Sequence, residues 1–150
     1  MKEVLPALVA AASAILLATA CSASPDDGAA LDVSGSSSGI RVRRNAIVRD
    51  ATAFSALWRQ HAGPTAPCPK LDFKACDVVV VFAGSRSTGG YSVRISEVRR
   101  SGKSAVVAAE LTKPGRGAIT SQAFTQPFCM KSVPKLPADA RIELKEIERT

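Results

Sequence analysis

Histidine, aromatic residues and cysteine are all scarce in this chain of 150 residues, and each scarcity excludes something. A single histidine, His61, and the lack of any Cys-x-x-Cys pair leave too few ligands for a zinc site, so neither a metal nor a cofactor is expected. One Trp, one Tyr and five Phe do not interleave with the cations, which argues against nucleic acid as a partner. Ten Gly and nine Pro are too few for a collagenous chain, and 46% hydrophobic residues are too many for a mainly disordered one. Beyond the first 20 residues no long apolar run occurs, which excludes a polytopic helical membrane protein. The length fits one domain.

The first 20 residues form an export signal. Met1 and Lys2 precede an apolar stretch over residues 4–20, broken by Pro6, Ser13 and Thr19, and small residues lead into Cys21. Leu17-Ala18-Thr19-Ala20-Cys21 resembles the lipobox of bacterial lipoproteins, in which the cysteine is acylated and becomes the new N-terminus. That resemblance implies a signal peptide over 1–20, lipidation at Cys21 and an anchor far firmer than one myristoyl chain. The non-acidic Ser22 resembles an outer-membrane address. The expected location is therefore outside the cytosol and lipid-anchored. In a Gram-negative host that means the outer membrane, facing the periplasm or the surface; otherwise it means the outer face of the plasma membrane. Residues 22–39 are small and polar and read as a flexible tether, spanning roughly 23 Å root-mean-square. A single domain is expected over 40–150.

In an oxidising compartment Cys68, Cys76 and Cys129 are an odd set. Three pairings are open, and one disulfide is expected, joining Cys129 to Cys68 or Cys76, with the third thiol buried.

Residues 40–49 alternate apolar and cationic and predict one half-buried strand or two short ones. Asp50 reads as an N-cap; Phe54, Leu57, Trp58 and His61 then share one helical face, and Gly63-Pro64 end the helix. Prolines 64, 67 and 69 stiffen the loop that follows. The run DVVVVFAG reads as a central strand covered on both faces. Residues 91–95 alternate as a strand with one solvated face, Ser101-Gly102 marks a hairpin before a strand over 105–111, and 124–133 and 141–147 supply two more. The expected fold class is α+β, a mostly antiparallel sheet of five or six strands with one helix near 51–62.

Catalytic patterns are weak. Gly35-Ser36-Ser37-Ser38-Gly39 satisfies the serine-hydrolase pattern, but no buried strand and helix flank it and no acid and His follow in order. Gly84 and Gly89 form half a phosphate-binding pattern without its Lys-Ser/Thr end. His61 reads as a boundary residue, and Asp72 and Asp77, which flank Lys74 and Cys76, read as turn and cap residues. The expectation is that the chain is not an enzyme; a small hydrolase would need a site around Asp72, His61 and a Ser.

Three stretches carry a family resemblance. GSRSTGGYSVRI, residues 84–95, resembles the signature of the protease complex subunit PrcB family, and KPGRGAITSQAFTQPF, residues 113–128, resembles the segment that follows it there. Trp58 on a helix, and Asp72-Phe73 before a β run, sit where similar proteins place them. Cys129 departs from the pattern, since relatives tend to carry a polar or aliphatic residue after the Pro-aromatic pair. The resemblance implies a membrane-tethered, non-catalytic component of an envelope or surface protease complex, with a protein partner, such as a protease, and no small-molecule substrate. Arg86, Thr88, Gly89, Gly90 and Tyr91 are then candidates for partner binding, with Arg86 and Tyr91 as anchors. Read from the residues alone, the same block is a turn feeding a strand. The loop is also similar to a motif of small bacterial inhibitors of cysteine proteases, so a protease inhibitor using residues 84–91 is the alternative. From Ile40 onward 19 Lys+Arg stand against nine Asp+Glu, an excess that suits anionic lipid headgroups or an acidic protein surface.

Overall fold

The computed structural model describes residues 30–150. The signal peptide, Cys21 and the first part of the expected tether lie outside them. The elements in chain order are β1 (Asp32–Gly35), β2 (Arg44–Val48), α1 (Ala51–Ala62), β3 (Cys76–Phe82), β4 (Ser92–Ser101), β5 (Ser104–Lys113), β6 (Phe128–Pro134) and β7 (Arg141–Glu148). They form two sheets: one of four strands in the order β1-β6-β3-β2, one of three in the order β4-β5-β7. The expected single sheet of five or six strands is thus divided in two, while the mostly antiparallel pairing and the one helix stand; β5 with β7 is the parallel pair.

Helix, four-stranded sheet and three-stranded sheet stack as three layers around β3. Val78, Val80 and Phe82 face α1, where Phe54 and Leu57 are buried with Met130 and Phe128. Val79, Val81 and Ala83 face the second sheet, against Val93, Ile95, Val107, Ala109 and Leu111. The unbroken apolar run of β3 is required because a strand between two layers has no solvated side. The helix starts where Asp50 Oδ1 accepts the Ala53 N–H at 2.8 Å, and it stops at Gly63, whose φ is 98° and whose N–H donates to the Arg59 carbonyl at 3.0 Å.

Two expectations are corrected. Residues 30–39 are not tether. Asp32–Gly35 pairs with Phe128–Lys131, Leu31 and Ile40 are buried, and Gln126 N–H donates to the Ser36 carbonyl at 2.8 Å. An edge strand is held mainly by backbone hydrogen bonds, so a Gly/Ser-rich composition does not prevent it. The expected disulfide is absent: Cys68, Cys76 and Cys129 are all free thiols. Cys129 faces Val81 in the ladder while Cys76 faces Pro134. Cys76 and Val81 are both on β3, so the two cysteines are separated by about 17 Å of strand. A disulfide tolerates Cα atoms no more than about 7 Å apart. Cys129 is buried in the core between the sheets, and that burial pushes its thiol pKa up.

Candidate functional site

The signature residues 84–91 form the loop between β3 and β4, and they lie against the long loop over 114–127 that joins β5 to β6. Arg86 and Thr125 exchange two backbone hydrogen bonds, of 2.7 and 2.9 Å. Gly89 N–H donates to the Ser121 carbonyl at 2.9 Å, and Thr125 Oγ1 donates to the Thr88 carbonyl at 2.8 Å. The glycines are required by this closeness. A Cβ on Gly89 would stand 2.5 Å from Ser121 Oγ; one on Gly90, whose φ is 87°, would stand 3.0 Å from Pro114 and Thr120.

Arg86 and Tyr91 are bound up in the same contact. The guanidinium lies 5.4 Å from the Tyr91 ring centroid, and Arg86 Nη2 donates to the Ala83 carbonyl at 3.2 Å. A cation over an aromatic face is worth roughly 1 kcal/mol. Tyr91 in turn packs on the core between the sheets. The five candidates Arg86, Thr88, Gly89, Gly90 and Tyr91 are therefore brought together, and what they visibly do is hold the second loop in place.

What that loop carries was not singled out from the sequence. Ile119 is 103% exposed and Phe124 77% exposed, although the loop around them is tied at both ends. Arg149 N–H donates to the Lys113 carbonyl at 2.9 Å and Arg116 N–H to Glu148 Oε1 at 3.1 Å, beside the Thr125 contacts at the other end. A long braced loop without secondary structure, holding large apolar side chains in water, is a frequent form of binding site. Phe124, expected to open a strand over 124–133, lies in the loop instead because β6 starts only at Phe128, and Ile119 stands alone in a Gly/Ser/Thr/Gln stretch with no period to bury it.

His61 meets a serine, but not one flanked by catalytic groups. Its Nδ1 lies 2.9 Å from Ser38 Oγ, which also accepts the Ile40 N–H at 3.1 Å, and Gly39 N–H donates to the His61 carbonyl at 2.8 Å. Ser38 is buried and the imidazole stands edge-on to Phe128, with ring centroids 4.3 Å apart. Burial lowers the His61 pKa, so the ring is neutral at neutral pH. The pair ties the stretch before β2 to the end of α1. Asp72 is elsewhere, accepting the Lys74 N–H at 3.0 Å and the Cys76 N–H through its carbonyl, also at 3.0 Å, as the turn reading expects.

Asp77 is fully buried at the start of β3. Lys135 Nζ reaches its Oδ1 at 2.6 Å, while Arg49 Nη1 and the Leu136 N–H reach Oδ2 at 3.1 and 2.8 Å. Arg49 also donates to the carbonyls of Leu136 and Pro137, each at 2.8 Å. Burial alone would raise the Asp77 pKa, but these donors and cations outweigh it and hold the carboxyl below its usual range. The cluster locks the turn after β6 to β2 and β3. Among the described residues no group of three or more His, Cys, Asp or Glu could hold a metal ion.

Residues 78–134 match the family model described as PrcB C-terminal. The match runs through β3, β4, β5 and β6 and contains both loops. No curated protein and no solved structure matches the chain.

Proposed function

We propose that the chain is an exported, lipid-anchored protein-binding module that performs no chemistry itself and serves as an accessory component of a protease complex. The observation that carries this reading is the match of residues 78–134 to the PrcB C-terminal family, because the matched stretch contains the two loops braced against each other. A family whose name points to a protease complex, and a rigid loop that displays Ile119 and Phe124, both favour docking to another protein. The anchor at Cys21 would act by effective concentration: confined to the membrane, even a weak docking contact is occupied. An inhibitor that inserts residues 84–91 into a protease cleft is less well supported, since Thr88 and Gly89 are half-covered by the second loop and Arg86 is committed to Tyr91.

The test is the size of the species extracted from native membranes in mild detergent. A band well above the 15.6 kDa of the chain that holds a second protein and cleaves casein is the expected result. Migration as a lone lipoprotein, with proteolysis elsewhere in the gel, would remove the reading. A Cys21→Ala variant should leave the membrane fraction and weaken the complex.

A further inference from the structure

The large exposed hydrophobic residues of the described chain are Val42, Ile119 and Phe124, and all belong to one end of the domain. Ser85 N–H donates to the Arg41 carbonyl at 2.9 Å, and a Cβ on Gly84 would lie 3.4 Å from the carbonyl carbon of Val42. Residues 41–43 thus lie along one side of the 84–91 loop, and the 114–125 segment lies along the other through Thr125, Ser121 and Thr120.

Two arginines at this end carry free positive charge beside the apolar residues. On the solvent face of the three-stranded sheet Arg94 pairs with Glu110 at 2.7 Å, Arg99 with Glu97 at 3.1 Å and Arg141 with Glu143 at 3.2 Å, while Lys145 has no carboxylate partner among the described residues. Arg43 and Lys113 share Glu146. Arg41 and Arg116 are exposed beside the apolar residues, and among the described residues no carboxylate pairs with either guanidinium.

The direction of this end follows from β1. Leu31 hydrogen-bonds to Ser132, its N–H donating to Ser132 Oγ at 2.8 Å, whereas Gly35 faces Phe128 and Ser36 meets Gln126 at the loop end. The chain therefore enters the fold about 14 Å from the loops and runs toward them. From Cys21 to Leu31 it cannot reach further than about 35 Å even when fully extended. Laying the loops on the membrane would use about 14 Å of that length, two fifths of it, in doubling back along the domain.

We propose that the end bearing Val42, Ile119 and Phe124, with Arg41 and Arg116, is a docking surface for an acidic segment of a second protein that carries apolar anchors, presented on the side of the domain away from the membrane. The proposal rests on the reading of the chain as an anchored protein-binding module. The apolar side chains supply the contact that excludes water, and the unpaired guanidinium groups steer and select an anionic partner. Because the loops are already ordered, little freedom is lost on binding.

The test places a photo-crosslinking benzophenone amino acid at Phe124, at Ile119 or, on the opposite end at the β4–β5 turn, at Lys103, in the full-length lipoprotein in intact cells. Crosslinked peptides are then sequenced by mass spectrometry. The expected result is a peptide of another protein, rich in Asp, Glu and apolar residues, at positions 119 and 124 and not at 103. Its yield should fall at least tenfold with Arg41→Glu/Arg116→Glu, with the thermal midpoint unchanged. Lipid adducts at 124 would mean that this end faces the membrane, and adducts to the same chain would mean self-association; either overturns the proposal, as does indifference to the charge reversal. Protein adducts at 103 alone would sink this surface but leave the protein-binding reading standing. No protein adduct at any position would remove both.

Discussion

Asp77 shows how one buried charge can hold three parts of this fold together. Its carboxylate is closed off from water, but the cations that answer it, Arg49 and Lys135, are 36% and 43% exposed. Removing the carboxylate therefore leaves two cations that can turn to solvent, and the penalty falls short of the 3–5 kcal/mol typical of breaking a fully buried pair. Asp77→Asn should lower stability at pH 7 by roughly 2 kcal/mol, read as the urea midpoint. The sign with pH follows from the lowered pKa of Asp77. The folded state binds this proton less tightly than the unfolded chain, so the contribution is complete above the ordinary value of 3.8 and is lost as pH falls through the folded pKa. Glu146, lowered chiefly by its hydrogen bond from Lys113, loses its contribution in the same acid window. Wild type and Asp77→Asn should therefore differ at pH 7 and converge as pH falls below 3.8 through the folded pKa of Asp77, with the Glu146 part of the slope common to both. A difference that persists in acid would mean that packing, and not charge, holds the turn after β6.

At the scale of elements, helix α1 and strand β3 were legible because their causes are local. The Asp50 cap, the spacing of Phe54, Leu57, Trp58 and His61, and the Gly63 stop all lie within one stretch; the apolar run of β3 states its own burial on both faces. Strand β1 was not legible, since its pairing partner is β6, with Leu31 and Ser132 separated by 101 positions, and its own composition reads as linker. The division into two sheets was hidden for the same reason: nothing local in β4, β5 or β7 states which strand they avoid. In the site, the Thr88-Gly89-Gly90-Tyr91 turn and the segment over 113–128 were both visible, but not their packing on each other, because the demand for glycine comes from Pro114, Thr120 and Ser121 across the gap. That cross-loop packing makes its own prediction. Gly90→Ala forces a side chain into a positive-φ position and against Pro114 and Thr120, and should lower stability by about 1–2 kcal/mol. Hydrogen exchange should quicken over 114–126 in particular, while α1 keeps its protection. Faster exchange spread evenly over the molecule would instead mark the turn as ordinary folding structure.

At the scale of the whole molecule, the layers, the loops and the charges divide the work. The two cores on either side of β3 fix the scaffold, and the contact between loops 84–91 and 114–127 turns a flexible connection into a rigid edge. The solvent face of β4-β5-β7 carries three of the ion pairs, while the loop end presents the exposed apolar side chains with Arg41 and Arg116 beside them. The chain enters at Leu31, at the far end of β1 from those loops. The measurement that tests this account most directly is recovery of the partner in a crosslinked pull-down from membranes, comparing the native lipoprotein with Phe124→Ser and with Lys103→Ser. Both substitutions are at exposed positions, so neither should move the melting temperature by more than about 2 °C. The account predicts that a component of a protease complex is recovered with the native chain and with Lys103→Ser, and falls at least tenfold with Phe124→Ser. Equal recovery from all three would contradict it.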